Sequence, residues 1–301
     1  MSELLRIAPE VEQALHEGGP VVALETTLIA HGFPPRVGVE VGLASEAAVR
    51  AEGAVPATVG VIDGAVVVGL GEAQVERFGE AAADARKAGP RDLASCAAQG
   101  ALGATTVGGT LRACALASIR FLGTGGTGGV HRGFAERPDV SADLAELART
   151  ETLVVGSGAK SLLDVPATAE VLETLGVPVL GYRTDELPLF YAAAGGPPVS
   201  ARVESPEEAA EVARAHWELG GAGLLLGNAP ENGVDIEPLL EEALRAAADE
   251  HISGQAVTPF VLSFLHERSG GRTLDVNREL VVANAGLAAQ VAVAFSTISP
   301  S

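Results

Sequence analysis

Lysine is almost missing from this chain of 301 residues: of twenty basic side chains, eighteen are arginine and only Lys87 and Lys160 are lysine. An arginine supplies positive charge as well as a lysine does, but its guanidinium does not lose a proton near neutral pH and so cannot act as an amine nucleophile. The two surviving lysines are therefore candidates for chemistry that arginine cannot perform. Cysteine is also scarce. Cys96 and Cys114 stand alone without a Cys-x-x-Cys pair, which argues against a disulfide framework and a cysteine-based zinc site. Aromatics make up 4% of the chain, so the core is expected to be Ala, Val and Leu. Positive charge is in deficit, with a net charge of −19 and no basic tract. Nucleic acid, whose phosphates need a basic footprint, is not an expected partner. There is no unbroken apolar run of about 18 residues and no basic-then-apolar leader, so no membrane partner is expected and the predicted location is the cytoplasm.

What remains is a regular alternation. Apolar runs at 21–24, 119–122, 152–155, 177–180 and 224–226 read as buried strands, the first ending at Glu25. Residues 57–69 read as a hairpin, because Asp63-Gly64 between two β-branched runs is a type I′ turn signal. Residues 105–107 read as extended, and 111–118 as a helix. Further helices are predicted at 161–175, 206–219, 238–248, 259–269 and 276–295, the second opened by Ser205 as cap with Pro206 and Glu208 behind it. Strands alternating with helices predict one α/β domain over 1–301, with a largely parallel central sheet, helices on both faces and a helical C-terminal third.

Ligands of open α/β sheets gather at the carboxyl ends of strands, and the chemically loaded residues fall there. Glu25 ends one strand; burial would raise its pKa toward the range of a general acid. Gly123–Gly129 follows another. It contains G-x-G-x-x-G, but Gly133 and Pro138 break the helix a dinucleotide site requires. A loop offering N–H groups to a phosphate, with hydroxyls from Thr124 and Thr127, is one reading; a ligand-free turn is the other. His131 and Arg132 at the loop exit could serve the same pocket. Asp139 and Asp143 flank Ser141, which also suits a helix cap, and such a carboxylate pair suits Mg²⁺ or Mn²⁺ better than zinc. Lys160 follows Gly-Ser-Gly-Ala, where poor solvation would free an amine for Schiff-base work. Lys87, read as the end of a charged helix beside Arg86 and Arg91, suits an anion. Asn277 and Asn284 lie in an apolar helix, as structural amides or as one that orients a carbonyl.

Taken together, Val22–Pro34, Gly103–Val107, Gly128–Gly133, Asp139–Leu144, Gly158–Asp164 and Gly176–Tyr182, extended by Thr258–Phe260 and the Asn-Ala pair at Asn284, resemble the pseudouridine-5′-phosphate glycosidases, the indigoidine synthase A-like family. The resemblance covers nearly the whole chain. It implies reversible cleavage of the C–C glycosidic bond of pseudouridine 5′-phosphate to uracil and ribose 5-phosphate. It implies Lys160 as covalent nucleophile, Glu25 as proton donor and Asp139 as ligand of Mn²⁺, with Mg²⁺ as the alternative ion. Lys87, Val107 and Ser141, Ala142 and Asp143 fall on substrate-contacting positions, and His131 and Asn284 on positions near ribose and base. A homotrimer is implied as well. Gly89-Pro90-Arg91 departs from the basic run usual there.

The chemistry suits these residues on its own terms. A carbon-linked base offers no leaving oxygen to protonate, the route of ordinary glycosidases. An amine that captures the opened sugar as an iminium creates an electron sink, and a facing acid can then protonate the departing carbon. Two alternatives stand at this level: a Schiff-base sugar-phosphate aldolase or lyase, and a sugar-phosphate-binding protein without catalysis.

Overall fold

The computed structural model describes residues 3–136, 138–160, 162–252 and 257–298. Ser161, the expected start of a helix, lies outside the described residues, as do the side chains of Thr258 and Pro259 in the Thr-Pro-Phe match. The strands in chain order are β1 (Leu5–Ile7), β2 (Val21–Glu25), β3 (Val55–Ile62), β4 (Ala65–Val68), β5 (Arg86–Ala88), β6 (Gly103–Thr105) and β7 (Phe121–Gly123). Then follow β8 (Val130–His131), β9 (Leu153–Gly156), β10 (Leu163–Asp164), β11 (Val179–Tyr182), β12 (Ala201–Val203) and β13 (Leu224–Asn228). One sheet runs β1-β4-β3-β2-β7-β9-β13-β11-β12, with β6 on β3 and β5 on β6, while β8 and β10 form a separate pair. Within the large sheet only β3 pairs antiparallel, with β4 and β6. The expected, largely parallel sheet is therefore present.

The central strands are buried from end to end, as a parallel strand covered on both faces must be. Val21 to Glu25 is an example, with no exposed position. The β3–β4 hairpin turns where expected, at Asp63 and Gly64 with φ of 50° and 78°, the left-handed pair a type I′ turn needs. One face of the sheet is covered by the helices Arg272–Thr297 and Pro206–Glu218, where Phe121, Trp217 and Phe295 meet edge to face. The other face is covered by an aliphatic layer that includes Leu111 and Cys114 of the helix Val107–Ala117 and Leu144 and Leu147 of the helix Ala142–Leu147. The helix Arg272–Thr297 is long and apolar enough to cross a membrane, but it spends its apolar side on β2, β7 and β9.

Local details differ from the sequence reading. Residues 105–107 are not one extended piece: β6 stops at Thr105, Thr106 caps the next helix through Gly109 N (3.2 Å), and Val107 is its first residue. Lys87 is not at a helix end but in β5, held by parallel pairing to β6. The helix after Lys160 begins only at Val165, because Asp164 caps it by accepting from Ala167 N at 3.0 Å. Ser205 caps as expected, accepting from Glu208 N.

What this topology places together matters most. From β2 the chain first builds outward through β3 and β4, then returns to the other side through β7, β9 and β13. The junction of β2 and β7 is thus a switch point in strand order, where open α/β sheets bind ligands. Glu25, Thr124 and the 157–160 segment leave the carboxyl ends of the adjacent strands β2, β7 and β9.

Candidate active site

Glu25 is 2% exposed. The two threonines after it fix the chain. Thr26 Oγ1 donates to Val59 O (2.8 Å) and accepts from Thr105 N (2.8 Å), and Thr27 donates to Ala104 O. The Glu-Thr-Thr run thus ties the end of β2 to β3 and β6. Thr124 donates to Glu25 Oε1; Glu25 Oε2 has no partner. Burial raises the Glu25 pKa, opposed by the Lys160 charge and then by the Thr124 hydrogen bond. A buried carboxyl with one free oxygen is suited to hold a proton and to give it up.

Lys160 is half-buried and is positioned by its backbone: its N–H donates to Thr127 O (3.1 Å) and its carbonyl accepts from Leu163 N (2.9 Å). Two residues earlier, Gly158 has φ of 85°, and a Cβ there would lie 1.9 Å from Pro188 O. Only glycine permits that approach. Lys87 reaches the same space from β5. Its surface is open to solvent, yet it lies in a concave mouth dense with protein. That crowding pulls the Lys87 pKa down first, followed by the like charge of Lys160, against the pull of Asp143, Glu25 and Asp139. The two lysines and three acids are therefore within electrostatic reach of one another.

The lysines form the boundary between two cavities. One, of about 380 Å³, is polar and is lined by Lys87, Arg91, His131, Asp139, Ser141 and Lys160. The other, of about 480 Å³, is mainly apolar, with Leu28, Leu162, Phe190, Val261 and Leu265 on its wall.

Several sequence candidates serve the frame of this site. Asp143, 6% exposed, accepts at Oδ1 from Gly108 N (2.7 Å) and Thr106 Oγ1 (3.3 Å), and at Oδ2 from Gly128 N (2.9 Å). Ser141 accepts from Asp143 N (3.2 Å), and Ala142 opens the short helix behind it. A Cβ on Gly128 would stand 2.2 Å from Ser141 Oγ, so glycine is required there by crowding. Val107 has its side chain in the core, 1% exposed; its neighbour Thr106 faces the polar cavity. Three N–H groups of the glycine-rich loop are paired within the protein. Thr124 N donates to Val155 O, Thr127 N to Gly158 O and Gly128 N to Asp143, and the Thr124 hydroxyl is committed to Glu25. Asn284, fully buried, donates to Thr124 O (2.8 Å) and Ser157 Oγ (3.1 Å) and accepts from Asn228 Nδ2 (2.9 Å). It staples the loops after β7 and β9 behind Glu25. Residues the sequence reading passed over are His31 and Tyr191, both on the apolar cavity.

Asp139 is an exposed carboxylate on the polar cavity. No group of three His, Cys, Asp or Glu side chains able to hold a metal ion occurs among the described residues, and both Asp143 oxygens are already taken. The donor set is one carboxylate, which suits a hard ion taking its other ligands from water and phosphate, and does not suit zinc.

Residues 10–294 match the family described as indigoidine synthase A like protein. A curated pseudouridine-5′-phosphate glycosidase of Herpetosiphon aurantiacus is 48% identical, over 98% of this chain and 99% of that protein. One of Streptomyces griseus is 49% identical, over 96% and 91%. Two solved structures have the same fold. The prealnumycin C-glycosynthase AlnA, in complex with ribulose 5-phosphate, aligns with a TM-score of 0.90 at 40% identity over 98% of both chains. An indigoidine synthase A-like protein of Thermotoga maritima aligns with a TM-score of 0.88 at 34% identity over 97% of both.

Proposed function

This chain belongs to the indigoidine synthase A-like family, and from that premise we propose that it is a pseudouridine-5′-phosphate glycosidase with Lys160 as nucleophile and Glu25 as acid. The observation that carries this reading is the pairing at the switch point: a buried carboxyl with a raised pKa and one unpartnered oxygen, next to one of only two lysines in the chain.

The unprotonated Lys160 amine bonds to C1′ of the sugar as the ring oxygen leaves C1′ and takes a proton. The nitrogen lone pair then expels the base while Glu25 gives its proton to C5 of the uracil, leaving an iminium at C1′. Water adds to the iminium and releases ribose 5-phosphate and the free lysine. Hydrolysis of the iminium releases one proton, which returns to Glu25, and each step can run in reverse.

The phosphate is assigned to the polar cavity, where Lys87 and Arg91 oppose its charge and His131 lines the wall. Lys87 and Arg91 supply the cations there despite the shortened basic run. Asp139 is the proposed holder of Mn²⁺, with Mg²⁺ as the alternative. Such an ion supplies charge stabilisation to the phosphate end, completed by water. The family resemblance supports a homotrimer in the cytoplasm. Substrate and products are the small molecules named above, with neither nucleic acid nor membrane as partner.

The test is direct. Pseudouridine 5′-phosphate is incubated with the protein, with Mn²⁺ or with chelator, and uracil release is followed by absorbance. Borohydride reduction in the presence of ribose 5-phosphate is followed by peptide mapping. Uracil release with labelling of Lys160, both lost in Lys160→Arg, is expected. Aldehyde products without uracil would instead indicate an aldolase, and sugar-phosphate binding without turnover a binding protein.

A further inference from the structure

His131 and Arg132 leave β8 together, yet the structure sends them to different places. His131 lines the polar cavity. Arg132 does not; it lines a separate cavity of about 370 Å³ with Leu163, Asp164, Leu189 and Glu237. Its guanidinium joins two elements. Nε donates to Leu163 O (3.3 Å), while Nη1 and Nη2 donate to the two carboxylate oxygens of Glu237 at 2.8 and 3.2 Å. Glu237 is the first residue of the helix Glu237–Asp249.

What these contacts hold is the pair β8 and β10, two residues each and separate from the large sheet. A two-stranded piece so short is marginal on its own, but it carries two parts of the site. Leu163 N donates to the Lys160 carbonyl at 2.9 Å and so closes the turn that bears this lysine. Opposite Leu163 stands His131, whose N–H donates to Asp139 O at 3.0 Å. One end of the pair is bolted by Thr168 of the helix Val165–Thr174, whose hydroxyl accepts from Val130 N (2.9 Å) and donates to Asp164 O (2.7 Å). Arg132 stands at the other end. An exposed ion pair is ordinarily worth little, and the side chains of Arg132 and Glu237 are 38% and 53% exposed. The value of this pair lies in its geometry. Two-point contact leaves a planar guanidinium one orientation, and that orientation aims Nε at Leu163 O.

We infer that Arg132 is a positioning residue for the nucleophile: fixed by Glu237, it braces the Leu163 end of the Lys160 turn so that the amine meets the sugar carbon in line. It acts through Leu163 and not on the substrate. The inference rests on the glycosidase reading for the role of Lys160. Lysine could not replace Arg132, because one ammonium cannot span the carboxylate and the Leu163 carbonyl at a fixed angle.

The test compares the unaltered protein with Arg132→Gln, Glu237→Ala, the double variant and Arg132→Lys. Uracil release gives kcat and KM, borohydride trapping at saturating ribose 5-phosphate gives the rate of imine formation at Lys160, and urea unfolding gives the midpoint. Arg132→Gln should lower kcat and the trapping rate together by about tenfold, as displacement of a reacting group does, with KM and the urea midpoint little changed. Glu237→Ala should lower both rates by about threefold, the scale of an exposed pair. The double variant should match Arg132→Gln, because Glu237 acts only through Arg132. Arg132→Lys should recover only part of the loss. A full trapping rate in Arg132→Gln overturns the inference and leaves the glycosidase standing. So does multiplication of the two losses in the double variant, or full activity in Arg132→Lys, which would reduce Arg132 to a surface charge. Where Arg132→Gln lowers the urea midpoint, Glu237→Ala decides, and an unchanged trapping rate there overturns the inference. Failure of the unaltered protein to release uracil or to label Lys160 removes the glycosidase reading and this role together.

Discussion

Glu25 at the end of β2 and Asp143 in the first turn of the helix Ala142–Leu147 are both buried acids within reach of the two lysines, yet Asp143 accepts from three donors and Glu25 from one. Two of the Asp143 donors are backbone N–H groups, which can only donate. Asp143 is thereby committed as an acceptor and binds the start of the helix Val107–Ala117 to the glycine-rich loop. Glu25 has a single hydroxyl partner and a bare second oxygen, and burial dominates its titration. The difference lies in the supply of fixed dipoles: a buried carboxyl surrounded by them becomes a clamp, while one deprived of them stays available as an acid.

The largest expected effect breaks this contrast on the Glu25 side. Glu25→Gln keeps the shape and removes the transferable proton, so kcat for uracil release should fall roughly 10²–10⁴-fold. Borohydride should still label Lys160 with ribose 5-phosphate, because forming that imine does not require protonation of a carbon. A loss smaller than about tenfold would place the acid elsewhere. On the other side, Asp143→Ala leaves the Gly108 and Gly128 N–H groups facing nothing. Stability should fall by about 3 kcal/mol, seen as a lower urea midpoint at unchanged slope. An unmoved midpoint would mean that the clamp carries no load.

How much of this could be read in the chain depends on whether local sequence or distant packing decides a feature. The central strands, the Asp63-Gly64 turn and the Ser205 cap are local and legible, and with them the gathering of Glu25, Thr124 and Lys160 at neighbouring strand ends. The helix Pro35–Ala51 was illegible because its buried face includes Gly38 and Ser45. Small residues are needed there, since a Cβ on Gly38 would meet Ile29 O at 2.2 Å, and they blank the hydrophobic stripe. Lys87 looked helical because its strand is three residues long, two of them charged, and is set by pairing with β6. The crowding of the glycine-rich loop against Ser141, Thr168 and Phe190 has no signature in one dimension. His31, Tyr191 and Asn277 are far apart in the chain, and only the fold puts them around one cavity.

The smallest expected effect sharpens the contrast by removing the last donor from Glu25. Thr124 is fixed at both ends of its backbone, its N–H on Val155 O and its carbonyl on Asn284, so Thr124→Val changes the hydroxyl and little else. The Thr124 hydrogen bond holds the Glu25 pKa down against burial; without it the carboxyl keeps its proton to higher pH. The Glu25 proton is the one the departing carbon takes, so the quantity to compare is the midpoint of Glu25 ionisation, followed by the carboxyl infrared band against pH with Glu25→Gln as the blank. That midpoint should move to higher pH in Thr124→Val and return in Thr124→Ser. Plateau kcat should change less than about fivefold, since a neutral hydrogen bond is worth about 1 kcal/mol. A midpoint that stays in place in Thr124→Val would show that the Thr124 hydroxyl does not set the acidity of Glu25, and the contrast with Asp143 would then concern folding alone.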